Sequence, residues 1–189
     1  MAKKQSTTSD NTGDLPAAEF EVGDPIVHPS HGAGRIVAIQ AWEVGGVKRR
    51  YYSIELVSDH GTLNIPVEQA EESGLRRAVS DPDSIFDVLS EEPATLNSDH
   101  RKRQADLADK IHSGDAGQIT EALRDLAYRE QTSGLTERDP RLKSEAEGML
   151  IGELALQPDL NLDSAAARLQ SEVHDAIEEH VPDEEEDDA

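Results

Sequence analysis

At Ser80-Asp81-Pro82 the apolar pattern of this chain changes period, from two residues to about 3.6, so one kind of secondary structure cannot account for both sides. Ahead of that point, short apolar alternations are separated by Gly, Pro and Asp. Behind it, apolar residues recur three and four apart. The expected fold class is therefore α+β, with a small strand-built module at residues 19–79 followed by an all-α helical domain at 80–181. Residues 1–18, rich in Ser, Thr, Asp and Asn, read as a disordered leader, and 182–189 as an acidic disordered tail.

Within the first part, Ile26-Val27 begins a short strand and Pro29 to Gly34 supplies a turn. Arg35 to Val44 reads as a second strand with Val37, Ile39 and Ala41 on one face. Gly45-Gly46 reads as a two-residue hairpin turn, since glycine accepts the positive φ such turns demand. Val47 to Val57 returns, presenting Tyr52, Ile54 and Leu56 on one face and Tyr51, Ser53 and Glu55 on the other. After a turn at Asp59-His60-Gly61, Thr62 to Val67 is a further strand. Its Pro66 cannot donate to a ladder and so marks a strand end or a sheet edge. The expectation is a strongly bent, five-stranded, barrel-like sheet.

Five helices are expected in the second part. Asp83 to Glu91 buries Ile85, Phe86 and Leu89, and Ser98 to Ser113 carries Gln104, Leu107 and Ile111 on one stripe. Asp115 and Gln118 form an acidic capping box for a third helix, with Ile119, Ala122, Leu123, Leu126 and Ala127 inward and Gly134 at its end. Thr136 opens a fourth that buries Leu142, Ala146, Met149 and Leu150 and stops near Pro158. A fifth runs from Asn161 to His180 through Leu162, Ala166, Leu169, Val173 and Ile177. Helices of this length are marginal alone and are expected to pack as one bundle.

The chain holds 18 basic and 40 acidic residues, a net charge of −22, which at face value argues against nucleic acid. The charge is uneven. Gln170 to Ala189 contains no Lys or Arg, whereas His100-Arg101-Lys102-Arg103 is a basic cluster. Screening limits the reach of distant acids to roughly 8–10 Å, so a local basic patch can still meet phosphate. Basic side chains at a helix start oppose the helix dipole, which points to an external anion; a solvated face balanced by Asp99, Asp106 and Asp109 is the plainer reading. An acid-rich surface is also what adaptation to a salty cytoplasm would give. There is no cysteine, which excludes disulfides and fits a reducing cytoplasm, and no apolar run approaches the length of a membrane span.

Nothing in the residue spacing suggests catalysis, a cofactor, a metal or a small-molecule substrate. His28 and His31 sit in a Pro-containing turn without a third ligand, and His174 and His180 are spaced wrongly for one helix face. Gly32-Ala33-Gly34 lacks the spacing of a phosphate-cradling loop, and no serine lies in a nucleophile elbow. Trp42, the one tryptophan, either covers an end of the sheet or anchors a partner. Thr62 to Pro66 is either an ordinary edge strand or a platform for a partner's strand.

Several short motifs stand in a fixed order along the chain. In the first part these are Val22-Gly23-Asp24, His28-Pro29-x-His31-Gly32-x-Gly34, Ile39, Tyr52, Ile65-Pro66-Val67 and Gly74-Leu75-Arg76. In the second they are Ser113-Gly114-Asp115, Leu123-Arg124-Asp125-Leu126, Gly134-Leu135-Thr136 and Gly152-Glu153-Leu154-Ala155-Leu156. In this order they resemble the CarD family of bacterial transcription regulators, and the first module is also similar to one in the transcription–repair coupling factor. The resemblance implies a Tudor-like small β-barrel that binds the β subunit of bacterial RNA polymerase. It further implies a helical domain that contacts promoter DNA weakly and without sequence specificity, stabilising the open complex without turnover.

By position, the resemblance assigns polymerase binding to Trp42, Leu63, Asn64, Ile65 and Pro66, and DNA binding to His100, Arg101, Lys102 and Arg103. The family often carries arginine where this chain has Trp42 and Asn64, and a DNA-wedging tryptophan where it has His100. Loss of such a base contact costs on the order of 1–3 kcal/mol, so DNA engagement is expected to rest on phosphate attraction. A second reading stays open, in which the helices bind another protein and the chain is a polymerase-bound adaptor. Either way the expected location is the cytoplasm, on the nucleoid through polymerase.

Overall fold

The computed structural model describes residues 18–58, 60–136 and 138–181, so the leader expected at 1–18 lies outside it except for Ala18, and the tail expected at 182–189 lies outside it altogether. The first part forms strands β1 (Pro25–His28), β2 (Gly32–Val44), β3 (Val47–Leu56), β4 (Thr62–Pro66) and β5 (Arg76–Arg77). All pairings are antiparallel, in the order β4-β3-β2-β1-β5. This corrects the expected closed barrel. Among the described residues β4 and β5 do not pair, and β5 has two residues, too short to bridge to the far edge. The gap is covered instead by the 3₁₀ turn Val67–Gln69 and the segment to Leu75, whose Val67, Ala70 and Leu75 join the sheet core.

That core holds Phe20, Ile26, Ile36, Tyr52, Ile54 and Ile65. Tyr52 is its pivot: its hydroxyl accepts the N–H groups of Glu19 (2.9 Å) and Phe20 (3.1 Å), fastening the incoming chain to β3. The expected face of Val37, Ile39 and Ala41 on β2 does not hold. Ile36 pairs with Ile54 while Ala38 pairs with Ser53, so Val37 is the extra residue of a β-bulge. The bulge changes the phase of the strand, turning both Ile36 and Ile39 to the core and leaving Val37 exposed; Ala41 keeps the face of Ile39 but lies exposed toward the hairpin. The hairpin is as expected, with Gly45 and Gly46 both at positive φ between paired Val44 and Val47. Pro66 both ends β4 and lies on the sheet edge.

Five helices follow: α1 (Asp83–Leu89), α2 (His100–His112), α3 (Ala116–Thr132), α4 (Asp139–Leu154) and α5 (Leu162–His180). They share one apolar core running from Ile85 and Leu107 through Leu123 and Leu150 to Leu169. Asp115 caps α3 by accepting the Gln118 N–H (2.9 Å), but its own N–H is taken by Ser113 Oγ (3.1 Å) rather than by Gln118. The complete capping box is at α5, between Asn161 and Ser164. Helix α4 begins three residues later than expected, because Thr136 is held outside it, donating N–H and hydroxyl to Asp139. On α5 it is Ala165, not Ala166, that is fully buried.

The two parts are joined by a built seam. Arg76 of β5 donates to both carboxylate oxygens of Glu153 on α4 (2.7 and 2.8 Å) and also to the Gly114 carbonyl between α2 and α3. Glu153, 1% exposed, takes the Val79 N–H as well (2.8 Å). Arg35 of β2 donates to the Leu156 carbonyl (2.9 Å), and Val27, Ala33, Ala78 and Leu156 close an apolar cluster around these bonds.

Candidate functional site

Two surfaces carry the residues singled out from the sequence. The first is the outer face of the sheet near its β4 edge. Successive strand residues point to opposite faces, so the pairings Gln40–Tyr51, Trp42–Arg49, Ser53–Asn64 and Tyr51–Pro66 place these side chains on one face. Trp42 is 37% exposed and stacks on Tyr51, with ring centroids 4.9 Å apart and an interplanar angle of 29°. Its indole N–H donates to Gln40 Oε1 (3.2 Å), and Ser53 Oγ donates to Asn64 Oδ1 (2.9 Å). At the end of β4, Arg49 and Glu68 form an ion pair of 3.2 Å. An aromatic pair, a proline and an amide thus lie beside an edge strand.

Of the residues assigned to this surface, the structure brings together Trp42, Asn64 and Pro66. It separates Leu63 and Ile65, whose side chains turn to the core, Ile65 being buried and Leu63 half-buried. They can offer a partner only their backbone at the sheet edge. Tyr51 was not singled out, although its alternation with Tyr52 already set it on the outer face; only the pairing with Trp42 makes it part of a site.

The second surface is a basic cleft of about 580 Å³ lined by Ser98, His100, Arg101, Arg103, Gln104, Arg129, Thr136 and Arg138. It joins the start of α2, the last turns of α3 and the loop before α4. Asp99 caps α2 by accepting the N–H groups of Arg101 (2.9 Å) and Lys102 (3.4 Å), which offsets the unfavourable basic start. His100, Arg101 and Lys102 are exposed.

Arg103 differs from its neighbours and corrects the expectation that it contacts phosphate directly. It is 1% exposed and is spent on its own domain: it donates to Asp139 Oδ2 (3.1 Å), Thr136 Oγ1 (3.0 Å) and the Asn97 carbonyl (2.9 Å). One more residue along α2 is a further 100° around the axis, which turns this side chain into the bundle. Burial pushes the Asp139 carboxyl up, but hydrogen bonds from Thr136, Gln104 and Arg103 outweigh it and hold the group below its ordinary value of 3.8. Arg103 Nε and Arg129 Nε are buried on this cleft without a hydrogen bond among the described residues, though Arg129 Nε lies 3.9 Å from Asp139 Oδ2 in an ion pair.

Apart from Lys48 on β3, the basic side chains with no partner among the described residues are Arg101, Lys102, Arg138 and Arg141. Arg101 and Arg138 line the basic cleft, and Arg138 also lines an adjoining hollow with Arg141, so these three arginines form one continuous face. Arg129, Arg138 and Arg141 were not found from sequence, since they are scattered over α3 and α4 and gather only when the helices pack.

The histidines form no metal centre among the described residues. The His28 and His31 rings lie 4.7 Å apart; His28 Nδ1 accepts the Ser30 N–H (3.1 Å), and burial, then the neighbouring His31, lower its pKa from 6.5. No described helix is long and apolar enough to cross a membrane.

Comparison with known proteins agrees with this two-part architecture. The CarD-like/TRCF RID domain matches residues 20–79, and the CarD, C-terminal domain matches residues 84–170. The chain is 30% identical over 144 residues to the candidate transcription factor YdeB of Bacillus subtilis (strain 168), covering 71% of this chain and 90% of that protein. It is 33% identical over 55 residues to the transcription-repair-coupling factor of the same organism, covering 29% of this chain but 5% of that one. With both domains matched in order and a relative aligned over most of its length, the chain belongs to the CarD family of transcription factors, whose first domain is an RNA polymerase-interacting domain.

Proposed function

We propose that this chain is a non-enzymatic regulator with two attachment points. The Trp42–Tyr51 face and the β4 edge hold the β subunit of RNA polymerase, and the basic face of the helical domain meets promoter DNA next to the melted region. The observation that carries the reading is the gathering of Arg101, Arg138 and Arg141, which have no partner among the described residues, on one face of a chain with net charge −22. In so acidic a protein, such cations are available to an anion of another molecule. Their planar guanidinium groups suit phosphate.

Attachment to polymerase supplies what the weak patch lacks. A tethered domain meets DNA at an effective concentration of roughly millimolar, so contacts too weak to capture free duplex act once the β module is docked. His100 occupies the edge of the cleft, exposed, and adds a small polar ring where an aromatic wedge would add apolar area.

The test is the lifetime of a promoter open complex with saturating protein. The expected result is a longer lifetime that shortens when Arg101 and Lys102 are both changed to Ala, with a flatter salt dependence. A lifetime that the intact chain leaves unchanged overturns the reading. Arg103 is left out of the variant because its loss would disturb folding. A photo-crosslinker at position 100 separates the adaptor reading, for which label goes to protein and none to promoter DNA.

A further inference from the structure

The basic face has a candidate occupant within the same molecule. Residues 183–188 are Asp183-Glu184-Glu185-Glu186-Asp187-Asp188, and no Lys or Arg follows Arg168. Val181, the last described residue, lines a groove together with Gln131 in the final turn of α3. Arg129, on the opposite side of that turn, lines the basic cleft. The eight residues beyond Val181 span at most about 26 Å when extended. The body of a helix is roughly 10–12 Å across, less than half that length.

We infer that the acidic segment 182–189 docks on the basic face formed by Arg101, Arg129, Arg138 and Arg141 and occupies it in the free protein. Three observations support it. The charges are complementary: six consecutive acidic residues in the sequence stand against a face whose Arg101, Arg138 and Arg141 have no partner among the described residues. The cleft also holds buried donors left unfilled, since Arg103 Nε and Arg129 Nε make no hydrogen bond among the described residues, although Asp139 pairs with both guanidinium groups at 3.1 and 3.9 Å. The segment follows directly from Val181, which lines a groove shared with α3, so the encounter is intramolecular.

Among the described residues, no acid near the face is paired with Arg101, Arg138 or Arg141. Asp99 is committed to the α2 cap, and Asp139 lies buried beneath the cleft, held by Arg103, Gln104 and Thr136. Glu145, beside Arg138 and Arg141, bonds His112 (2.9 Å).

If the basic face is the DNA-contacting surface, a consequence that rests on the function proposed above, the segment competes with phosphate. Free duplex is then excluded, while a promoter held close by polymerase displaces the segment. Docking of this kind weakens with salt, since exposed charges are screened beyond roughly 8 Å at physiological ionic strength.

The chain has no cysteine, so Ala189→Cys gives a single position for a nitroxide label on the full chain. At low salt the label is expected to broaden the amide resonances of Arg101, Lys102, Arg129 and Arg138. The broadening is expected to vanish at high salt and when the six acids of 183–188 are changed to their amides. No broadening at low salt, or broadening that survives the amide substitutions, overturns the proposal. In parallel, the amide-substituted chain should bind a short duplex about tenfold more tightly than the parent at low salt. Broadening without that gain upholds the docking and places the failure with the DNA reading.

Discussion

At the scale of single residues, the basic cluster at the start of α2 divides by direction. His100, Arg101 and Lys102 face water, whereas Arg103 is buried against Asp139. A run of like residues in sequence thus holds two different roles, and the deciding quantity is angle around the helix, which composition does not show. The buried pair also gives a pH signature. The Asp139 carboxyl is held below 3.8 when folded, so its contribution to stability is present above that value and is lost as pH falls through the folded pKa. Asp139→Asn leaves Arg103 buried without a counter-charge and is expected to cost about 3–5 kcal/mol. The same change should make the fall of the denaturation midpoint shallower below about pH 4, because one depressed carboxyl no longer titrates.

At the scale of elements, the helices were legible because a 3.6-residue stripe survives small errors in where a helix begins. Ile85, Phe86 and Leu89, or Ile119, Leu123 and Leu126, are buried as their spacing requires. Strand faces are less tolerant: one extra residue reverses everything beyond it, and the bulge at Val37 did this to β2. Nothing local announces such a bulge. Barrel closure failed for a related reason, since the length of β5 is set by the seam it enters rather than by its own residues. Close approach of β2 and β3 does leave one mark in the sequence. A Cβ on Gly34 would stand 2.6 Å from the Glu55 carbonyl oxygen, so Gly34→Ala must push the strands apart. That overpacking should cost about 1–3 kcal/mol, read as a lower midpoint of Trp42 fluorescence in a denaturant titration.

At the scale of the whole molecule, the seam makes one unit of two domains. Gly74-Leu75-Arg76, Ser113-Gly114-Asp115 and Gly152 to Leu156 lie far apart in the chain and carry the family resemblance. Arg76, Gly114, Glu153 and Leu156 meet in bonds across the junction. Those motifs mark assembly rather than contact with a partner. The seam fixes how the basic face sits relative to the β module. Arg76→Ala strips the buried Glu153 of its cation and is expected to cost about 3 kcal/mol. It should also separate the melting of the β module, followed by Trp42 fluorescence, from that of the helices, followed by far-ultraviolet circular dichroism. Coincident transitions in the variant would show that the seam does not couple the domains.

Apolar period, turn residues and caps decided by themselves that strands precede helices, where the hairpin turns, and which helical stripes are buried. Those properties depend on residues a few positions apart, whose separation is set by covalent geometry. Packing alone decided that the sheet stays open, that Arg103 turns inward, that Tyr51 stands beneath Trp42, and that Arg129, Arg138 and Arg141 share a face with Arg101. Each of these joins residues whose distance depends on how whole elements dock, and electrostatic and steric terms between distant segments leave no period in the chain to read.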